Sequence, residues 1–414
     1  MTKKTKSATR KILYIAAEIV NKIIPFLALP IFASYLSKEE FGIVSNFNIF
    51  FFIISIFVGL SSESYLTSKF FTVEPTERGK IIGQLLTVAI GSMLVMIPLI
   101  YLFNNYLESV FSLSLTFSLY CVLAAFSNFI IRLFLIYVRF SEKHNLFFIT
   151  QFAMIALNIG TSVLTVIYFD DKLNARIVSF TFSYVLIGII SFIALKNVIN
   201  YKLNKILLRN IITFGIPLIP YQLTKWARNG FDRIIIVNLL GIGANGIYSY
   251  NFQIANVPSY IGNGLNLELT PKLFKELGKN KNDRPLKMIY QYWLLILVAF
   301  LIFIGVIFLF KKYVFVNDFK FEFFHFFLIL FGSLFHSFSL LLNNFFFYWE
   351  KNYILTKITV ISSIVGVLLN YLLTTKWGLF GTCFTFFLSE MIIFLFLYIY
   401  VRNQLHAKIN INNN

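Results

Sequence analysis

Residues 221–233 read YQLTKWARNGFDR, and Lys225, Arg228, Asp232 and Arg233 carry charge. IITFGIPLIP precedes the stretch and IIIVNLLG follows it. Whether these charges sit in a loop or inside a membrane fixes the topology of the whole chain. The apolar flanks 211–223 and 234–242 are each shorter than the ~20 residues a helix needs to cross the hydrocarbon core.

The rest of the sequence supplies the frame. Of 414 residues, 58% are hydrophobic and 13% charged, against about 25% charged in an ordinary soluble chain. Mean hydropathy is +0.76. Apolar runs long enough to span recur throughout, which predicts an all-α polytopic membrane protein. Twelve spans are expected, at 12–35, 42–68, 80–103, 111–138, 146–169, 175–195, 210–239, 246–271, 288–310, 321–348, 353–374 and 378–401. The basic start MTKKTKSATRK is similar to a signal peptide, but the run after it carries Glu18 and Lys22 and lacks a small-residue cleavage site. It reads as an uncleaved first helix.

The formal charge of +18 would point to nucleic acid in a soluble chain. Here the positive-inside rule accounts for it. One set of loops and both termini hold 23 basic residues, and the opposite loops hold seven: Lys38, Lys172, Arg176, Lys311, Lys312, Lys320 and Lys376. This asymmetry places both termini in the cytoplasm and needs no nucleic-acid partner. It also settles the opening stretch. The basic loops 196–209 and 272–287 belong on one side, so an even number of crossings separates them. Segment 246–271 is one, and 210–239, with its charges inside, is the other. The two cysteines, Cys121 and Cys383, lie in apolar runs and form neither a disulfide framework nor a metal spacing.

A weak internal repeat appears at an offset of 204. Leu36, Gly42, Ile43 and Ser45 of LSKEEFGIVS match Leu240, Gly246, Ile247 and Ser249 of LGIGANGIYS. The expected organisation is a six-helix bundle over 1–195, an amphipathic linker over 196–209 on the inner surface, and a second six-helix bundle over 210–414. Substrate in such two-half plans binds between the halves.

The intramembrane charges mark the candidate site. Positions 225, 228 and 232 share one helix face, Arg228 and Asp232 can pair, and Arg233 points about 100° away. Lys225 lies roughly 15 Å from either interface, beyond a lysine's reach. Facing lipid would cost about 2.5–3.5 kcal/mol, so this face looks onto protein or a wet cavity. Gly215, Pro217 and Pro220 predict a kink just before it. Glu18 and Lys22, Arg132, Glu390 and His336 are further charged or titratable groups inside spans, with Glu63 and Glu268 near their ends. A cavity lined by Lys22, Lys225 and Arg228 suits an anion, phosphate or pyrophosphate in particular.

YLSKEEFGIVS and FDRIIIVNLLGIGANGIYSYNFQIANVP resemble polysaccharide-export flippases of the Wzx type, in the multidrug/oligosaccharidyl-lipid/polysaccharide superfamily. The resemblance implies a MATE-like V of two six-helix bundles around a central cationic cavity. It implies movement of undecaprenyl-pyrophosphate-linked oligosaccharide repeat units, of O-antigen or capsular polysaccharide, to the outer face of the bacterial inner membrane by alternating access. No cofactor is implied beyond a coupling proton or sodium ion. Lys225 and Arg228, with Lys22, Asp232, Arg233 and Arg132 around them, would line the substrate site, and Glu390 or Glu18 would bind the coupling ion. A polysaccharide polymerase and a chain-length regulator would be partners. The alternatives are a peptidoglycan-precursor flippase, a multidrug exporter of the same superfamily and, further off, a polysaccharide polymerase. Short outward loops and the absence of catalytic spacing argue against an enzyme, and the positive excess argues against a carrier of cationic drugs.

Overall fold

The computed structural model describes residues 24–278, 284–310, 319 and 322–413, and for residues 225, 228, 229, 352 and 406–413 the backbone alone. Regular structure among the described residues is helical throughout. Among the described residues ten helices are long and apolar enough to cross a membrane, so the chain is a multi-pass membrane protein. Chain contacts divide it into two compact units, Leu27–Gly246 and Met1–Phe26 with Ile247–Asn414.

The first unit contains α1 (Ile24–Tyr35, nearly all of it), α2 (Lys38–Phe57), α3 (Glu63–Lys69), α4 (Pro75–Leu102), α5 (Asn104–Phe111), α6 (Leu115–Phe140), α7 (His144–Tyr168), α8 (Lys172–Leu195), α9 (Lys205–Gly215) and α10 (Leu218–Leu240). α2 begins with a capping box: Glu40 N–H donates to the Ser37 hydroxyl at 3.1 Å, and Ser37 N–H donates to the Glu40 carboxylate at 2.8 Å. These bonds satisfy two donors that a helix start leaves open. The expected span 42–68 is not continuous. Gly59, Leu60 and Ser61 adopt φ of 74°, 55° and 54°, which ends α2 and turns the chain into α3. Gly59 lies against the Phe129 ring where a Cβ would stand, and its N–H donates to the Ser92 hydroxyl at 3.0 Å. Positive φ favours glycine locally, but this packing against α6 and α4 extends the turn over two further residues.

The repeated turns meet. α11 (Ile242–Ala255) starts where the second copy of the repeat predicts, and its Gly246 packs against Gly42 of α2. A Cβ on Gly42 would strike the Ile242 carbonyl, and one on Gly246 would strike the Lys38 carbonyl. Ile242 and Lys38 are themselves equivalent at the offset of 204. Asn245 ties the crossing, donating to the Gly42 carbonyl at 3.2 Å and the Asn46 amide oxygen at 2.9 Å.

Residues 196–204 form turns and irregular chain, and the helix begins only at Lys205. The segment lies on α4, where Gly79 and Gly83 let the Val198 and Asn200 carbonyls approach. Asn200 N–H donates to the Gly79 carbonyl at 3.0 Å. Gln84 donates to the Lys202 carbonyl at 3.1 Å and accepts from Asn204 N–H at 3.3 Å. Backbone groups satisfied in this way have no need of a helix. The segment thus belongs to the first unit, as do α9 and α10. The expected break before the charged stretch is present, at Ile216–Pro217 between α9 and α10.

The second unit contains the end of α11, α12 (Val257–Leu277), α13 (Arg284–Leu309), α14 (Phe323–Tyr348), α15 (Asn352–Trp377) and α16 (Leu379–Asn413). The expected span 246–271 is interrupted at Asn256, just before Pro258 in the first turn of α12. Proline lacks the N–H that would continue the ladder, and Ser259 caps the gap by donating to the Asn256 side chain at 2.7 Å. α14 is tied to α12 by Ser337 donating to the Pro258 carbonyl at 2.9 Å and by Asn344 donating to the Asn266 side chain at 2.7 Å. Both cysteines are fully buried.

Candidate functional site

The break after α2 sets the first feature of the site. Because α3 starts afresh at Glu63, that carboxylate turns toward α6, where Arg132 pairs with it at 2.7 Å. Arg132 also donates to the Ser55 carbonyl at 3.3 Å. The sequence places Arg132 inside a span and Glu63 near the end of one, and offers Arg132 as a substrate contact. The structure brings them together, so Arg132 carries its own counter-charge. Glu268, nearly equivalent to Glu63 in the repeat, instead pairs with Lys272 of its own helix.

The charged stretch lies within α10. Asp232 pairs with its neighbour Arg233 at 3.1 Å and also accepts the Arg233 backbone N–H at 2.9 Å. The Arg233 side chain is 9% exposed. Its burial follows from helix register. Gly230 contacts Ile49 of α2 and so marks the packed face, and Arg233 lies one turn further along that face. Asp232 sits on the opposite side of the helix. The side chains of Lys225 and Arg228, and the whole of Glu18 and Lys22, lie outside the described residues. The expected Arg228–Asp232 pair is therefore not described.

In the second unit, Glu390 of α16 is 5% exposed and lies 3.1 Å from His336 Nδ1 of α14. Both positions fall within spans. Sequence reading listed the two separately; the structure makes them a pair.

Arg176 is a residue that sequence reading misplaced. Counted there as an outward loop charge, it is 9% exposed, one turn inside α8. The helix start is fixed by Asp171, whose carboxylate accepts from Asn174 N–H at 2.9 Å and from its side-chain amide at 2.7 Å. These bonds hold the Asp171 pKa below the ordinary carboxylate value. Arg176 Nη1 donates to Ser162 at 2.5 Å and to Asn158 at 3.5 Å, both on α7. Its guanidinium lies over Phe32 of α1 at 4.7 Å. Among the described residues it forms no ion pair. The signal was present as spacing: Asn158, Ser162 and Thr165 share one face of α7, and Arg176, Ser179 and Ser183 share one face of α8. Thr165–Ser179 at 2.7 Å and Thr161–Ser183 at 3.4 Å continue the polar seam.

Comparison with known proteins bears on what this arrangement serves. The profile of the family described as "Polysaccharide biosynthesis protein" matches residues 8–271. The chain is 23% identical over 375 residues to the Lsg locus protein 1 of Haemophilus influenzae, covering 86% of this chain and 88% of that one. It is 25% identical over 300 residues to a membrane protein of the same organism, covering 69% of each. In fold it is similar to an inward-facing multidrug resistance MATE family transporter of the MOP superfamily, with TM-score 0.75, 13% identity and coverage of 96% and 99%. It is equally similar to the lipid II flippase MurJ in an inward closed conformation, with TM-score 0.75, 13% identity and coverage of 95% and 87%. The helical order, the repeated turns and the profile match agree: the chain belongs to the polysaccharide biosynthesis protein family and has the fold of MOP-superfamily transporters.

Proposed function

We propose that the chain is a flippase, not an enzyme, and that it carries undecaprenyl-pyrophosphate-linked oligosaccharide repeat units from the cytoplasmic to the outer face of a bacterial inner membrane. One observation carries this reading: the polysaccharide biosynthesis family match lies on a fold shared with a lipid II flippase. The chemistry of the first unit agrees with an anionic cargo, since Arg176 is buried there without an ion pair among the described residues. A guanidinium offers a planar fork to phosphate oxygens. In this reading Lys225 and Arg228 contact the pyrophosphate, with Lys22, Asp232 and Arg233 beside them. Alternating access is driven by a proton or sodium ion taken up at Glu390 or Glu18, both termini are cytoplasmic, and a polymerase and chain-length regulator receive the product.

The test is deletion of the gene in its host and complementation with wild type or with Lys225→Ala plus Arg228→Ala. Lipid-linked units and surface polysaccharide are measured at matched protein levels. The expected result is inner-face accumulation and loss of surface polymer in the deletion and the double variant. Full export by the double variant would remove those residues from the site. Unchanged surface polysaccharide in the deletion, with no second flippase present, would remove the function. The multidrug-exporter reading has one observation of its own, the equal TM-score to a MATE transporter, and a drug-susceptibility change in the deletion strain would favour it.

A further inference from the structure

The first unit contains an apolar groove of about 830 Å³ between α2, α4, α5 and α9. Phe50 and Phe57 of α2 and Gly91, Val95 and Leu99 of α4 line it. Measured along α4 from Thr87 to Phe103, the groove is ~24 Å long, most of the ~30 Å hydrocarbon thickness. Its two hydroxyls on α4 are committed to the backbone. Thr87 donates to the Gly83 carbonyl at 3.0 Å, and Ser92 donates to the Ala89 carbonyl at 3.0 Å while accepting from Gly59 N–H. Ordered water needs about two to four polar partners, so the interior favours a hydrocarbon occupant.

One end of the groove is chemically different. Thr87 and Leu208 line it there, and each lies one turn from the clamp between Gln84 and residues 202–204. That clamp anchors the segment that carries Lys202, Lys205 and Arg209, the last two within one turn of Leu208 on α9. All three are exposed, none is in an ion pair among the described residues, and residues 196–210 contain no acidic residue. Lys205, Leu208 and Ile212 follow i, i+3, i+7 spacing, so a basic residue heads the helix face that lines the groove. The occupant that matches is a long apolar chain with a negative head.

We infer that this groove receives the polyprenyl chain of the lipid-linked cargo on loading, with its phosphate end toward Lys202, Lys205 and Arg209 before the head group moves on to Lys225 and Arg228. The inference rests on the flippase reading and adds to it a tail site remote from α10's charged stretch.

The experiment uses the purified full chain in nanodiscs and a sugar-free polyprenyl monophosphate carrying a photoreactive group on its tail. Gly91→Leu fills the groove: a Cβ there meets nothing within 4 Å, and leucine is the better helix former, so the variant should fold. Labelling of wild type is expected within α2, α4 or α9. It should fall at least five-fold in Gly91→Leu and also fall in Lys205→Gln plus Arg209→Gln, while excess phosphatidylglycerol should not compete. Unchanged labelling in Gly91→Leu, or label confined to other helices, overturns the inference. Equal competition by phosphatidylglycerol also overturns it, because the groove would then be a slot for bulk lipid. The two readings fail separately. Polyprenyl labelling here in a chain whose deletion leaves polysaccharide export intact refutes the cargo, and export with labelling elsewhere refutes the groove.

Discussion

Gly42 and Gly246, 204 residues apart, pack so closely that a Cβ built on either would stand 3.1–3.2 Å from the other's backbone nitrogen. Each also abuts the carbonyl of the residue four positions before its partner, Ile242 for Gly42 and Lys38 for Gly246. The contact is reciprocal under the internal repeat, which gives a physical reason for glycine at both equivalent positions.

Gly246→Ala is therefore expected to destabilise the fold by about 1–3 kcal/mol or more, the usual cost of overpacking a close contact. Gly91→Ala, with open space at its Cβ, is the matched control and should be neutral or stabilising by about 0.5–1 kcal/mol. Thermal unfolding in detergent compares the two. Equal Tm values would show that the crossing yields without cost.

The Glu63–Arg132 pair is partly exposed, at 12% and 34%, so its worth falls below the ~3–5 kcal/mol lost on breaking a buried pair. Either single Gln substitution should cost about 1–3 kcal/mol, and the double less than the sum, with a coupling of about 1 kcal/mol or more. Chemical unfolding of the four proteins measures it. If export also recovers in the double variant, Arg132 serves the fold; if it stays low, Arg132 meets the cargo as well.

Arg176→Met separates structure from transport at the polar seam. A buried charge without a carboxylate partner is costly to fold around. The apolar substitute should leave stability unchanged or raise it by about 1 kcal/mol, while export falls about ten-fold or more with loss of a charge-assisted contact. Arg176→Lys should recover part of the export at most, because lysine lacks the planar fork. Loss of stability in Arg176→Met would make the guanidinium a structural tie between α1, α7 and α8.

Asp171 predicts a pH dependence at the start of α8. Its folded pKa lies below the unfolded value because the carboxylate accepts two bonds from Asn174. Its contribution is thus complete above the unfolded pKa and is lost as pH falls through the folded one. Asp171→Ala should cost about 1 kcal/mol at neutral pH, and the difference from wild type should begin to shrink once pH falls below the ordinary Asp pKa near 3.9. A difference that stays constant as the pH is lowered further until the fold is lost would show that the cap does not act through its charge.

The sequence by itself determined the class of the molecule: an all-helical chain in a membrane. That conclusion rests on hydrophobic run length and a low share of charged residues, which are local or additive and need no partner. The repeat at 204 was also legible, because glycine at equivalent helix starts leaves a mark in one dimension. Tertiary structure decided where helices break and which charges meet. The turn at Val58–Ser61 exists because α6 and α4 pack against Gly59, and without it Glu63 would not face Arg132. Segment 196–204 forgoes a helix because α4 supplies hydrogen-bond partners through Gln84 and the Gly79 backbone. Arg176 looked like a loop charge because hydropathy ends a span at the first basic residue. Its burial depends on Asn158, Ser162 and Phe32, brought to it by two other helices.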